Sequence, residues 1–276
     1  MALKPVTQEF INDLKRGLSP GAVLAVPDSY LLEPRSRWRG ISSTLVLPQN
    51  VEEVSVIVSL ANAKNIPIIP YGGGTGLVGG QIQDKGPSGI LLSLERMNKI
   101  RSLNSDENVI TVEAGVILSN LRDAAEEAKR IFPLSLASEG TAQIGGNLAT
   151  NAGGVNVLRY GSTRNLCLGL EVVFADGSIW NGLSRLHKDN TGYDLKNLII
   201  GSEGTLGIIT AATMKLFSKY SFAFFSALFR PGCPISNSTI HSGMLEKGTL
   251  TSNFVSLKKS MPILLINSKA EIVSPK

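Results

Sequence analysis

A stiff apolar run, Ile66 to Pro70, ends at Tyr71 and a cluster of six glycines: Gly72, Gly73, Gly74, Gly76, Gly79 and Gly80. Glycines reach positive φ freely and carry no Cβ, so several consecutive N–H groups can converge on one anion; another residue type in a left-handed well costs roughly 1–2 kcal/mol. The guest this favours is a phosphate or pyrophosphate. A plain glycine-rich turn between two strands is the competing reading.

The same stretch contains Gly74-x-Gly76-x-x-Gly79, which has dinucleotide-fingerprint spacing, but that motif needs a long helix that begins inside the glycines. Here Gln81 to Pro87 follow, and then the strand-like run Gly89 to Leu94. The pattern excludes a nicotinamide-type Rossmann site and keeps a backbone cradle for pyrophosphate.

With 276 residues and 43% hydrophobic content the chain can bury a sizeable core. Its net charge of +5 is spread over scattered Lys and Arg, with no basic block interleaved with aromatics, which argues for solvated surface over nucleic-acid binding. Cys167 and Cys233 show neither zinc-ligand spacing nor a disulfide framework, so the expected compartment is reducing, the cytoplasm, with no metal site. The first twenty residues lack an apolar targeting core and read as a short amphipathic helix on Val6, Phe10 and Leu14. The run from Phe222 to Phe229 is far short of the ~20 residues of a membrane span.

Leu45 to Leu47 read as a strand, and Asn50 followed by Glu53 resembles a capping box before a helix whose apolar face is Val51, Val54, Ile57, Val58 and Ala61. A β-α-β unit therefore ends at the glycine loop, at a strand's carboxyl end. A second region begins near Ile100, with a strand over 108–116 and a helix striped by Leu118, Leu121, Ala124, Ala125 and Ala128. Small residues then dominate from Ser138 to Gly154. That composition fits either tight helix packing or close approach to a flat ligand, and Ser138, Thr141, Asn147, Thr150 and Asn151 add neutral hydrogen-bonding groups of the kind a large polar cofactor needs. Residues 168–180 read as a hairpin with an Asp176-Gly177 turn, and Gly201 to Thr210 form a third glycine-punctuated segment.

Three spaced motifs are now in view: Pro70 to Leu77, Ile144 to Gly154 and Gly201 to Thr210, with Lys188 to Leu195 between the last two. Together they resemble the FAD-binding domain of the vanillyl-alcohol-oxidase or PCMH-type flavoproteins, in the D-2-hydroxyacid dehydrogenase branch that includes the glycolate oxidase subunit GlcD, D-lactate dehydrogenase and D-2-hydroxyglutarate dehydrogenase. The resemblance covers roughly residues 20–218 and implies an α+β fold. It divides the chain into an N-terminal helical segment (1–30), an FAD-binding domain of two α+β subdomains (about 31–100 and 101–218) and an unmatched tail (219–276). It implies that Tyr71, Gly72, Gly73, Gly74, Thr75, Gly76 and Leu77 wrap the pyrophosphate. Ser138, Gly140 and Thr141 would follow the ribityl and flavin side, and Gly145, Gly146, Asn147, Thr150, Asn151 and Gly153 would line the central cavity. Glu203, Gly207, Ile208 and Ile209 would close around the adenosine half. Since the only histidines are His187 and His241, the resemblance implies non-covalent FAD.

The family's substrate domain, with its basic residues and two-histidine metal motif, has no match after Lys219, so no catalytic residue is assigned. Two accounts are open: a truncated or frameshifted gene, or a module completed by another chain. The function expected is a flavin-dependent oxidoreductase acting on a small 2-hydroxy acid, with an electron acceptor or partner subunit. The alternatives are a non-catalytic FAD-binding module or an inactive remnant.

Overall fold

Residues 2–219, which the computed structural model describes, begin with helix α1 (Gln8–Gly17), whose N-terminus is capped by Thr7 accepting from the Phe10 N–H at 3.2 Å. Its Phe10 and Leu14 are fully buried. Strand β1 (Val23–Ala25), the short helix α2 (Asp28–Leu31), β2 (Thr44–Val46), α3 (Val51–Lys64), β3 (Ile68–Tyr71) and β4 (Ile90–Ser93) follow. They build a sheet of order β1-β2-β4-β3 in which β2, β4 and β3 are parallel and β1 is antiparallel to β2. Residues 2–30, expected as a helical segment, thus also supply a strand to this sheet.

Side chains alternate across it with period two. Val46, Ile90 and Leu92 pack with Phe10, Leu14, Val54, Ile57 and Val58 from α1 and α3, while Leu45 and Leu91 face Tyr30, Ile69 and Tyr71 on the other side. The cap of α3 differs from the expected box. Asn50 Oδ1 accepts from the Glu53 N–H at 2.8 Å, but the Glu53 carboxylate takes the N–H groups of Gln49 and Ser19 instead of that of Asn50. The helix start is thereby tied to the turn after α1. The two strands flanking α3, β2 and β3, are parallel but not neighbours, because β4 inserts between them.

Strands β5 (Ile100–Asn104) and β6 (Val109–Glu113), helix α4 (Leu118–Glu127), strand β7 (Arg130–Ile131), helices α5 (Ile144–Ala149), α6 (Val157–Tyr160) and α7 (Thr163–Leu166), strands β8 (Cys167–Val173) and β9 (Ile179–Gly182), helix α8 (Leu195–Ile199), and strands β10 (Ile208–Lys215) and β11 (Phe217–Ser218) complete the described chain. An antiparallel sheet of order β5-β6-β10-β8-β9 organises them, and β11 pairs with β7. Leu118, Leu121 and Ala125 of α4 join Ile144 and Leu148 of α5 over Ile110, Val112, Leu170, Val172 and Met214 of that sheet. Each such leucine, fully buried, contributes roughly 1.5–3 kcal/mol.

Polar groups also cross this sheet. Arg101 reaches Glu113 at 3.3 Å and both oxygens of Glu171 at 3.0 and 3.1 Å, and Thr210 Oγ1 donates to Glu171 at 2.8 Å. The β8–β9 hairpin turn docks on α3 through Ser55, whose hydroxyl donates to the Gly177 carbonyl at 2.5 Å. Gly177 has φ +87°, and a Cβ there would lie 1.9 Å from Ser59 Oγ, so this turn requires glycine on two counts.

Candidate functional site

No helix starts within residues 72–89. After β3 the chain turns through Gly72 to Gly80 as an open loop, and none of the backbone N–H groups in that span donates to an acceptor among the described residues. The path of the loop is set by contacts that exclude side chains. A Cβ on Gly73 would meet the Thr141 carbonyl oxygen at 2.0 Å, and one on Gly74, where φ is +68°, would meet the Tyr71 hydroxyl at 2.3 Å. The Gln81 side chain donates back to the Gly76 carbonyl at 2.8 Å. Beneath the loop, Tyr71 packs on Tyr30 with ring centroids 4.8 Å apart, and Tyr30 donates to Glu95 at 2.5 Å. Burial, and then the Glu95 charge, push the Tyr71 phenol above its ordinary pKa, so the Tyr71 side chain is a neutral prop for Gly74.

The facing wall is α5. Gly145 lies so close to β6 that a Cβ would sit 2.7 Å from that of Ala114, whereas Gly146 faces Gly72, backbone to backbone. The small residues here thus serve helix packing at Gly145 and an open cleft at Gly146. Asn147 is 5% exposed, and its Nδ2 has no hydrogen-bond partner. Thr150 folds its hydroxyl back onto the Gly146 carbonyl at 2.9 Å.

The third wall is the segment before β10. The Gly201 and Glu203 N–H groups donate to the Leu148 and Ala149 carbonyls at 3.1 and 2.9 Å, closing the C-terminal end of α5. Glu203 adopts φ +52° and brings its carboxylate against Gly80, and a Cβ on Gly204 would strike Pro70 at 2.8 Å. These three segments line a cleft of about 170 Å³ that opens to solvent.

Of the residues singled out in the sequence, Tyr71, Gly72, Gly73, Gly74, Thr75, Gly76, Gly145, Gly146, Asn147, Thr150, Glu203, Gly207, Ile208 and Ile209 line this cleft. The others lie behind it or outside it. Leu77 points outward, and Ser138, Gly140 and Thr141 form the turn against which Gly73 rests. Asn151, at φ +48°, accepts from the Arg164 N–H at 3.0 Å and shapes the end of α5. Gly153 is outside the lining. The sequence reading did not include Gln81, Ala114 and Gln143, which also line the cleft. Gln81 directly follows the glycine run and was findable there; Ala114 and Gln143 arrive only through the packing of α5 on β6.

The lining contains no lysine or arginine. His187 is exposed, with Nε2 3.0 Å from the Glu107 carbonyl, and is remote from the cleft lining; His241 lies outside the described residues. Burial pushes the Cys167 thiol up to about 12, so its nucleophilic thiolate is scarce. Among the described residues no cluster of three His, Cys, Asp or Glu could hold a metal, and no helix is long and apolar enough to cross a membrane.

A cleft walled by glycine backbone at the end of a parallel strand, completed by an antiparallel sheet, defines a nucleotide-cofactor domain. Residues 42–182 match the FAD binding domain family, and the chain belongs to it. It is 46% identical over 215 residues to a mitochondrial D-2-hydroxyglutarate dehydrogenase of Danio rerio, covering 76% of this chain and 39% of that protein. It is 44% identical over 180 residues to a D-2-hydroxyglutarate dehydrogenase of Xanthomonas citri pv. viticola, covering 65% and 38%. Among solved structures it resembles an alkyldihydroxyacetonephosphate synthase, with a TM-score of 0.68 and 25% identity over 79% of this chain and 42% of that one. A pollen glucose dehydrogenase, Phl p 4, shares the fold at a TM-score of 0.64 and 18% identity.

The family's cofactor is FAD, and the residues present fit it. The loop N–H groups are available to an anion, Gly72 and Gly146 leave space a Cβ would fill, and the orphaned Asn147 amide offers a buried donor to a polar heterocycle or hydroxyl chain.

Proposed function

We propose that this chain is the FAD-holding part of an oxidoreductase that converts a D-2-hydroxy acid to the 2-oxo acid, with D-2-hydroxyglutarate the first substrate to test. The observation that carries the reading is the glycine-walled cleft with unpaired N–H donors, in a chain whose similar proteins are named D-2-hydroxyglutarate dehydrogenases. The chain spans 39% of the Danio rerio relative's length, so the activity assigned to the whole protein is inferred from relatives.

When bound, FAD would supply the two-electron redox chemistry for oxidation at the carbon that bears the hydroxyl. In this reading the N–H groups of Gly72 to Gly76 hold the diphosphate, whose two negative charges sit more readily on donors than in an apolar pocket. The amide of Asn147, with the backbone of Gly145 and Gly146, orients the flavin side. Glu203 accepts from hydroxyls of the adenosine half, beside Gly207, Ile208 and Ile209. Leu77 shields the outer edge of the loop. Ser138, Gly140 and Thr141 hold the loop from behind, and Asn151 and Gly153 set the end of α5. Attachment is non-covalent. The alcohol proton and the substrate carboxylate need a base and a cation, and the cleft lining offers neutral groups and the single carboxylate of Glu203.

We assign those two tasks to groups beyond the cleft lining, in a partner subunit or another part of the protein; the two electrons would leave from the reduced cofactor in the cleft to a separate acceptor. This composition also favours a second reading, an FAD-binding module without turnover of its own. The compartment is a reducing one, the cytoplasm by the sequence or the mitochondrion that the Danio rerio relative's name gives.

Purified chain should be yellow and release its colour on acid precipitation. Anaerobic mixing of the flavin-loaded chain with D-2-hydroxyglutarate, glycolate and D-lactate then tests for turnover: slow or absent bleaching is expected of this chain alone, and rapid, saturable bleaching would show that it completes an active site by itself. A colourless folded protein after incubation with excess FAD overturns the assignment of the cleft.

A further inference from the structure

Three side chains link the end of β4 to the glycine loop, and two of them, Tyr30 and Glu95, lie outside the cleft lining. Tyr71 ends β3, in register with Ser93 of β4, and its hydroxyl fills the space a Gly74 Cβ would need, 2.3 Å from that position. Its ring leans on that of Tyr30 in α2, with centroids 4.8 Å apart and planes tilted by 41°. The Tyr30 hydroxyl donates to Glu95 Oε2 at 2.5 Å. Both rings rest on Leu45, Leu47 and Leu91 of the parallel sheet.

Glu95 depends on this contact. Among the described residues it accepts from two hydroxyls, Tyr30 and, at the long distance of 3.5 Å, Ser93, and it pairs with no cation. A half-buried carboxylate in that position is held by its hydrogen bonds, and one to a charged acceptor is roughly twice as strong as a neutral one. Burial and the hydrogen bond to Glu95 push the Tyr30 phenol above its ordinary pKa, and burial and the Glu95 charge do the same to Tyr71, so both rings are neutral at physiological pH. The loop's own N–H groups do not tie it down, so its path depends on contacts of this kind.

On the flavin reading of the cleft, we propose that Tyr30 and Glu95 are positioning residues for the cofactor. Anchored at Glu95, Tyr30 holds Tyr71 against Gly74, and the loop N–H groups stay aimed at the diphosphate. Neither residue touches the cofactor; both act through Tyr71.

Flavin fluorescence titration of the full chain tests this, with the melting curve of each FAD-free variant as the check on folding. Tyr30→Phe keeps the ring and loses the hydroxyl, and its Kd for FAD should be about 10-fold weaker. Glu95→Leu should lose as much, and the double variant no more than either single one, because the same hydrogen bond is broken in all three. Glu95→Gln still offers an oxygen to the phenol and should stay within about threefold of the parent. That variant also removes the negative charge near Tyr71, so NMR of ring-13C-labelled tyrosine in the FAD-free chain should show the Tyr71 phenol titrating at lower pH than in the parent. A lower melting temperature in Tyr30→Phe with unchanged Kd would reduce the contact to a stabilising one and overturn the proposal. Additive losses in the double variant, a Glu95→Gln variant as weak as Glu95→Leu, or a Tyr71 titration indifferent to Glu95→Gln would each overturn it as well. A parent chain that binds no FAD, with the Tyr71 titration responding as expected, would instead remove the flavin reading and this role with it.

Discussion

The two main walls of the flavin cleft solve the same problem by different means. The loop from Gly72 to Gly80 presents backbone: its N–H groups are unpaired, and Cβ atoms at Gly73 and Gly74 would collide with the Thr141 carbonyl and the Tyr71 hydroxyl. Helix α5 has its end groups paired by neighbouring segments, Ile144 and Gly145 donating to the Val116 and Ala114 carbonyls and Leu148 and Ala149 accepting from Gly201 and Glu203, and it presents side chains, the amide of Asn147 above all, while Gly145 on its other side lets the helix press against Ala114. A glycine in the loop therefore serves the ligand and the loop's own path together, whereas in α5 these duties fall to different residues. Mutations should couple the loop's path to flavin binding in the first wall and separate helix packing from flavin binding in the second.

The largest effect should come from Gly74→Asp. It places a Cβ against the Tyr71 hydroxyl, keeps a left-handed backbone that costs about 1–2 kcal/mol for a side-chain-bearing residue, and adds a negative charge beside the diphosphate. Flavin absorbance of the purified variant should fall to background while circular dichroism still reports a folded chain, because the loop lies at a strand end and outside the three hydrophobic clusters. An Asp variant with unchanged FAD affinity would move the phosphate site elsewhere.

Gly145→Val tests the helix-packing side of α5. Overpacking a close contact costs about 1–3 kcal/mol, and the melting temperature should drop both with and without FAD. If flavin were lost with no change in melting of the flavin-free protein, the division of labour in α5 would be wrong.

Asn147→Leu should separate the two duties most cleanly. Removing a buried unpaired amide relieves a penalty of about 1–3 kcal/mol, so the flavin-free variant should melt at or above the parent. FAD affinity should fall about 10-fold, from the loss of one buried hydrogen bond, measured by flavin fluorescence titration. A flavin-free variant that melts lower, with FAD affinity unchanged, would return Asn147 to a purely structural role.

The smallest effect should be that of Thr150→Ala. Its hydroxyl already bonds the Gly146 carbonyl within the helix, and a net change within about 1 kcal/mol is expected in stability, with less than about threefold in FAD affinity. A larger loss of affinity would show that the hydroxyl rotates to the cofactor.

The sequence by itself determined the local devices. Six glycines after an apolar run can only be a backbone-lined turn, Asn50 and the stripe Val54, Ile57, Val58 and Ala61 define α3, and Asp176-Gly177 marks the hairpin, because these depend on φ preference, capping and periodicity within a few residues. Resemblance over three motifs added the cofactor. Tertiary structure alone decided what touches what across the sheets. That β4 inserts between β2 and β3, that Glu53 bonds Gln49 and Ser19, that Ala114 and Gln143 join the cleft, and that Asn151 braces Arg164 instead of facing it all follow from contacts between distant segments. The physical reason is that a side chain's hydrogen-bond partner is set by which buried donors and acceptors packing brings within about 3 Å. Propensity and spacing along the chain carry no record of that distance.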